Sequence, residues 1–148
     1  MGQEQRRSPR IEVSLPVRVV VHDQAEDRIL ATGEGRINDI SRHGLRLTLL
    51  QPKIGGWHIF YHFHDREEGD PHLLFLEVQD RDGKAPDFRL PVQPVWFDRL
   101  LSLPAKPFQL GMEFRREPPR EVIDWLNRLL QNQPGQKADG WLARLFGS

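Results

Sequence analysis

The sequence has no cysteine in 148 residues, which excludes disulfides and thiolate metal sites and makes a reducing compartment the simple reading. It also lacks any apolar run near the roughly 20 residues that a membrane helix needs. Its polar, arginine-bearing start does not have the make-up of a secretion signal. The expectation is a cytoplasmic protein without membrane insertion. An excess of positive charge is missing too, since Lys plus Arg and Asp plus Glu each number 21, for a formal net charge of zero. Binding a nucleic-acid polymer requires many neutralised phosphates, so the charge balance argues against a polymer as partner. There is no internal repeat, no phosphate loop, no Ser-His-Asp order and no paired-carboxylate spacing. No catalytic role and no cofactor are expected.

What is present is period two. Ile11, Val13, Leu15, Val17, Val19 and Val21 alternate with Glu12, Ser14, Pro16, Arg18, Val20 and His22, the pattern of a half-buried strand. A turn over Asp23 to Asp27 leads into a second strand from about Arg28 to Ile40, with a break or bulge expected near Gly33 and Gly35. Further strands are predicted over Leu45 to Leu49, over Trp57 to Phe63 and over Leu74 to Val78. Two more follow over Phe88 to Phe97, where Pro91 and Pro94 suggest an edge or interrupted pairing, and over Phe108 to Phe114. Pro118-Pro119 then opens a helix with Val122, Ile123, Leu126, Leu129 and Leu130 on one face. Six or seven short strands and one helix favour a closed or nearly closed barrel, which hides its sheet edges.

Two segments carry recognition chemistry. Residues 6 to 10 read Arg6-Arg7-Ser8-Pro9-Arg10, three arginines without an acid, on a stretch that lacks periodicity and reads as a flexible arm. An arginine fork binds guanine O6 and N7 bidentately, stacks on a base and pairs with phosphate. The second segment is Asn38-Asp39-Ile40-Ser41-Arg42-His43-Gly44, between two strands. Asp39 offers an acceptor pair to the N1–H and amine edge of a guanine, Ser41 a hydroxyl to a phosphate oxygen, and Gly44 the freedom for a positive-φ turn. Arms and turns of these compositions are commonplace singly; together they suit a compact guanine-bearing anion.

The arginine pair Arg6 and Arg10, with Arg7 beside them, and the series Asp39, Ser41, Gly44 resemble the two halves of the nucleotide site of the PilZ domain family. Val95-Trp96, then Leu110-Gly111-Met112-Glu113-Phe114, then a helix over Pro119 to Leu130 follow in the order of that family, so the resemblance covers roughly residues 4 to 132. It implies an all-β fold with a C-terminal helix, a six-stranded antiparallel barrel that binds cyclic di-GMP outside the barrel through the arm and the turn. Such a protein is a bacterial receptor that orders its arm on binding and signals to a partner protein. Its organisation would be an arm over 1–10, a barrel with its helix over 11–132 and an amphipathic tail over 136–148. In some relatives the tryptophan of the late strand touches the ligand, which makes Trp96 a candidate, although periodicity places it on one face with Phe88, Leu90 and Val92 and so in the core. The other reading within the family is an adaptor that works through protein contacts alone.

Two features lie outside that pattern. His58, His62 and His64 fall on one face of the strand predicted over Trp57 to Phe63, where a solvated polar face is the expected role and a metal site is not. Trp141, Leu142, Leu145 and Phe146 recur at helical spacing after Pro134-Gly135, and fit either fold-back on the barrel or a homodimer contact.

Overall fold

β-Branched and aliphatic side chains at alternate positions make the first strand, and the same device is repeated around a closed sheet. A computed structural model describes residues 11–78 and 89–131. β1 (Ile11–Asp23) turns through Gln24 to Asp27 into β2 (Arg28–Ile40), and β3 (Gly44–Leu49) follows after three residues. A small hairpin of β4 (Lys53–Ile54) and β5 (Trp57–His58) precedes β6 (His72–Val78), β7 (Arg89–Arg99) and β8 (Phe108–Phe114). The helix α1 (Arg120–Gln131) comes last. Six strands close in the order β1-β2-β3-β8-β7-β6, every pair antiparallel. The barrel and helix expected from the sequence are therefore present.

The interior is built from the alternating set. Val17, Val19, Val21, Ile37, Leu45, Leu47, Leu49, Leu74, Leu76, Leu90, Val92 and Leu110 are all essentially inaccessible and form one cluster. Because the sheet closes on itself, neither side of β7 is an open edge, contrary to one reading of its prolines. Pro91 faces Phe75 of β6, and its carbonyl accepts from the Arg115 amide at 2.9 Å. The interruption is real and lies one residue after Pro94. Pro94 pairs with Met112 and Trp96 with Gly111, so Val95 is an extra residue, a bulge.

β2 also differs from expectation. It runs unbroken past Gly33 and Gly35; against β3 it bulges at Asn38, between the pairs Ile37–Leu47 and Asp39–Arg46, and against β1 the register also slips at Leu30, between Val21–Ala31 and His22–Ile29. The two glycines instead leave room for packing. A Cβ on Gly33 would lie 2.7 Å from Ile54 Cδ1, and one on Gly35 would lie 2.8 Å from Leu49 Cδ2.

The strand expected over Trp57 to Phe63 is a second correction. Only Trp57 and His58 pair as a strand. Beyond them the chain coils, with amide-to-carbonyl bonds from His62 to His58 (3.1 Å) and from His64 to Phe60 (2.7 Å), the i to i−4 pattern of a helical turn. That spacing puts Ile59 and Phe63 on one side, both buried in the barrel core, while Tyr61 is 71% exposed. Alternating aromatics suit a strand, but Ile59 and Phe63 are also four apart, and tertiary burial chose the helical period. Among the described side chains of α1, Val122 and Trp125 are buried, and Trp125 was not among those expected on its apolar face. The Pro119 carbonyl accepts from Val122 N at 3.0 Å and from Ile123 N at 3.2 Å, so the prolines start the helix as anticipated.

Candidate functional site

The β2–β3 connection consists of Ser41, Arg42 and His43. The Ser41 amide donates to the Gly44 carbonyl at 2.8 Å, and the Ser41 hydroxyl accepts from the His43 amide at 3.2 Å and lies 3.4 Å from the same carbonyl. Ser41 thus shapes the turn with both its backbone and its side chain. The His43 carbonyl accepts from the Phe114 amide at 2.9 Å, which ties the turn to the end of β8.

Gly44 serves a different purpose from the one its sequence context suggests. Among the described residues the glycines with positive φ are Gly55, Gly56 and Gly69, and Gly44 is not one of them. What it permits is close approach of two strands, because a Cβ there would stand 1.9 Å from the Met112 carbonyl oxygen.

Asp39 is the buried acid of the barrel wall, 1% exposed. The bulge at Asn38 places Ile37 and Ile40, both buried, on the inside and leaves Asp39 pointing out. Its Oδ2 accepts from Arg46 Nε at 2.5 Å and from the Arg46 Nη2 group. Asn38, in the same bulge, is bonded to the Thr48 hydroxyl. Arg46 is held at its charged end yet keeps 40% of its side chain exposed.

Pairing continues this row around the barrel. Glu12 faces Asp39, Asp39 faces Arg46, Arg46 faces Gly111, and Gly111 faces Trp96. Leu110 and Met112 point inward, so the Cβ direction of Gly111 is outward, and a Cβ there would lie 2.0 Å from Trp96 Nε1. The indole therefore lies against the outside of β8, 37% exposed. Its expected place in the core beside Leu90 and Val92 is overturned by the bulge at Val95, which turns Trp96 out and packs Phe97 against the core instead. Three strand spacings separate Asp39 from Trp96, about 14 Å along the sheet at the usual interstrand distance. The structure thus brings Asp39, Ser41, Gly44 and Trp96 to one face, while Arg6, Arg7 and Arg10 lie outside the described residues, as does the tail over 136–148.

Sequence reasoning passed over Arg46 and the part played by Gly111. The signal for Arg46 was available. It alternates with inward Leu45 and Leu47, so it must face out, two residues beyond the turn and across from Asp39. The seat that Gly111 gives to Trp96 was not readable, because it depends on a bulge one strand away.

The three histidines do not share a face. His58 Nδ1 accepts from the Phe60 and Tyr61 amides at 3.2 and 3.1 Å, and its pKa is lowered first by burial and then by the charge of Lys53. His62 packs edge-on against Trp57, and His64 stacks on Phe60. Among the described residues no group of three or more His, Asp or Glu is placed to hold a metal. No described helix is long and apolar enough to cross a membrane.

A six-stranded barrel with an outward-facing Asp-x-Ser-x-x-Gly turn and a tryptophan on the same face defines a barrel of the PilZ type. The family model described as PilZ domain matches residues 4–132, and the chain belongs to that family. Solved structures with the same fold include the PilZ domain with c-di-GMP of YcgR from Escherichia coli, at 18% identity and a TM-score of 0.52. That match covers 86% of this chain and 89% of the other. The K. pneumonia MrkH–c-di-GMP complex matches at 14% identity and a TM-score of 0.55, over 86% of this chain and 53% of MrkH. No curated protein matches the sequence.

Proposed function

We propose that the chain is a non-enzymatic receptor for cyclic di-GMP. The observation that carries this reading is the outer row in which Asp39, Arg46, Gly111 and Trp96 face one another across four strands, beside the Ser41–Gly44 turn. Membership of the PilZ family and two structural relatives solved with c-di-GMP support it. Asp39 reads a guanine edge, Ser41 gives its hydroxyl to a phosphate, and Gly44 keeps the turn pressed on β8. Arg6 and Arg10, with Arg7, close over the guanines and phosphates from residues 1–10. Closure orders that arm and creates a new surface for a protein partner in the bacterial cytoplasm, a disorder-to-order switch. The aromatic tail serves that partner or a homodimer.

Calorimetric titration with cyclic di-GMP, with GTP and cyclic GMP as controls, tests the receptor. Selective binding is expected in the parent, and Arg10→Ala should weaken it about a hundredfold, as loss of a charged bidentate contact does. Undiminished binding by Arg10→Ala would remove the clamp. No heat from the parent would leave the protein-contact adaptor as the function.

Trp96 supplies a second, independent prediction. Adding a methyl group at Gly111 meets the indole before anything else. Gly111→Ala should therefore displace Trp96 and cost about as much affinity as Trp96→Ala, on the order of tenfold for one stacked base. Tryptophan fluorescence reports the displacement directly. If Gly111→Ala moves the emission but leaves binding intact, Trp96 does not touch the nucleotide.

A further inference from the structure

We propose that Arg46 is the positioning residue that gives the site its guanine selectivity; this rests on the cyclic di-GMP reading above. Arg46 lies directly opposite Asp39 in the β2–β3 ladder, and its Nε and Nη2 both address a single carboxylate oxygen, Oδ2. Two donors on one oxygen from a rigid planar fork fix the plane of the carboxylate as well as its location. The torsion about χ2, an sp³–sp² torsion of broad preference, is narrowed by this fork. The contrast in exposure has the same meaning: the Asp39 side chain is 2% exposed and its arginine partner 40%. The acid is set into the wall, and the arginine holds it from the neighbouring strand β3.

The orientation matters because guanine and its close relatives differ only at the edge that a carboxylate reads. Guanine presents N1–H and a 2-amino group side by side. Hypoxanthine keeps N1–H and lacks the amine, with sugars and phosphates unchanged in the cyclic dinucleotide. A carboxylate held in one plane gains the second hydrogen bond only from guanine, and a group left without its partner is the main source of discrimination in polar sites. A carboxylate held less closely gives up part of that difference. Arg46 thus acts on selectivity through Asp39, and the phosphate contacts, common to both ligands, are unaffected.

The test compares cyclic di-GMP with cyclic di-IMP in calorimetric titrations of the parent, Arg46→Ala, Arg46→Gln and Arg46→Lys. The parent is expected to prefer the guanine ligand by about tenfold or more. Arg46→Ala should lose about tenfold in affinity for cyclic di-GMP and much less for cyclic di-IMP, so that the preference narrows. Arg46→Lys, which keeps the charge without the fork, should recover part of the affinity and part of the preference. Should Arg46→Ala fail to fold, Arg46→Gln gives the same readout with a donor in place. Equal losses for both ligands, or an unchanged preference, would overturn the role of Arg46 while leaving the receptor standing. Absence of binding by the parent would remove both.

Discussion

Replacing Gly44 by alanine is expected to destabilise the barrel by about 3 kcal/mol, the upper part of the range for overpacking a close contact. The added carbon would meet the Met112 carbonyl oxygen at 1.9 Å, its carbon at 3.0 Å and Glu113 Cα at 3.1 Å. All three are backbone atoms of β8, so no side chain can swing aside. Relief requires β3 and β8 to part, and the pair Gly44–Glu113 and the bond from the Phe114 amide to His43 lie at that point. The same movement carries Ser41 with it, so nucleotide binding should fall together with stability. Urea denaturation followed by circular dichroism gives the measurement. An unchanged midpoint would show that the two strands can separate here at no cost.

The second large effect is expected at Phe63, the largest of the fully buried side chains, at 1% exposure. Phe63→Ala should cost about 4 kcal/mol through lost burial and the cavity left behind. Phe63 enters the core from the helical turn after β5, not from a barrel strand, so this excursion fills the interior as the strands do. Tyr61→Ala is the internal control, since its side chain is exposed and its loss should stay within about 0.5 kcal/mol. If the two variants unfolded at the same urea concentration, the turn would be packed on the barrel without supporting it.

How much of this was legible in the sequence follows from which forces were local. β1, β3 and β8 carry strict alternation, and their inward sets are those that the pattern names. The prolines before α1 act through backbone chemistry that needs no tertiary knowledge. The segment after His58 was misread because Trp57, Ile59, Tyr61 and Phe63 satisfy the strand period, and only contact with the core selects the helical one. Asp39, Ser41 and Gly44 were found from their order. Even so, Gly44 was assigned the wrong reason, since the closeness of Met112 depends on a strand more than sixty residues away in the chain. Trp96 was placed on the wrong face because alternation was carried through Val95, where an extra residue resets it.

Those two extra residues, Asn38 and Val95, have a common consequence. Each shifts the phase of its strand by one, and each does so immediately before a residue of the outer row, Asp39 in β2 and Trp96 in β7. On the far side of the slip both the inward and the outward pattern resume, so the bulge absorbs the extra residue without moving the core or the outer row. At these two positions the strand carries one residue more than its partner, and that residue is the one the flanking pairs do not use. A substitution at Val95 alters one exposed side chain, and its deletion would close the ladder into regular alternation, with Trp96 still opposite Gly111 outside and Phe97 still opposite Leu110 inside. What sets the face of Trp96 is thus its register against β8, and a slip of that register by one residue is the change that would turn the indole into the core and erase the site.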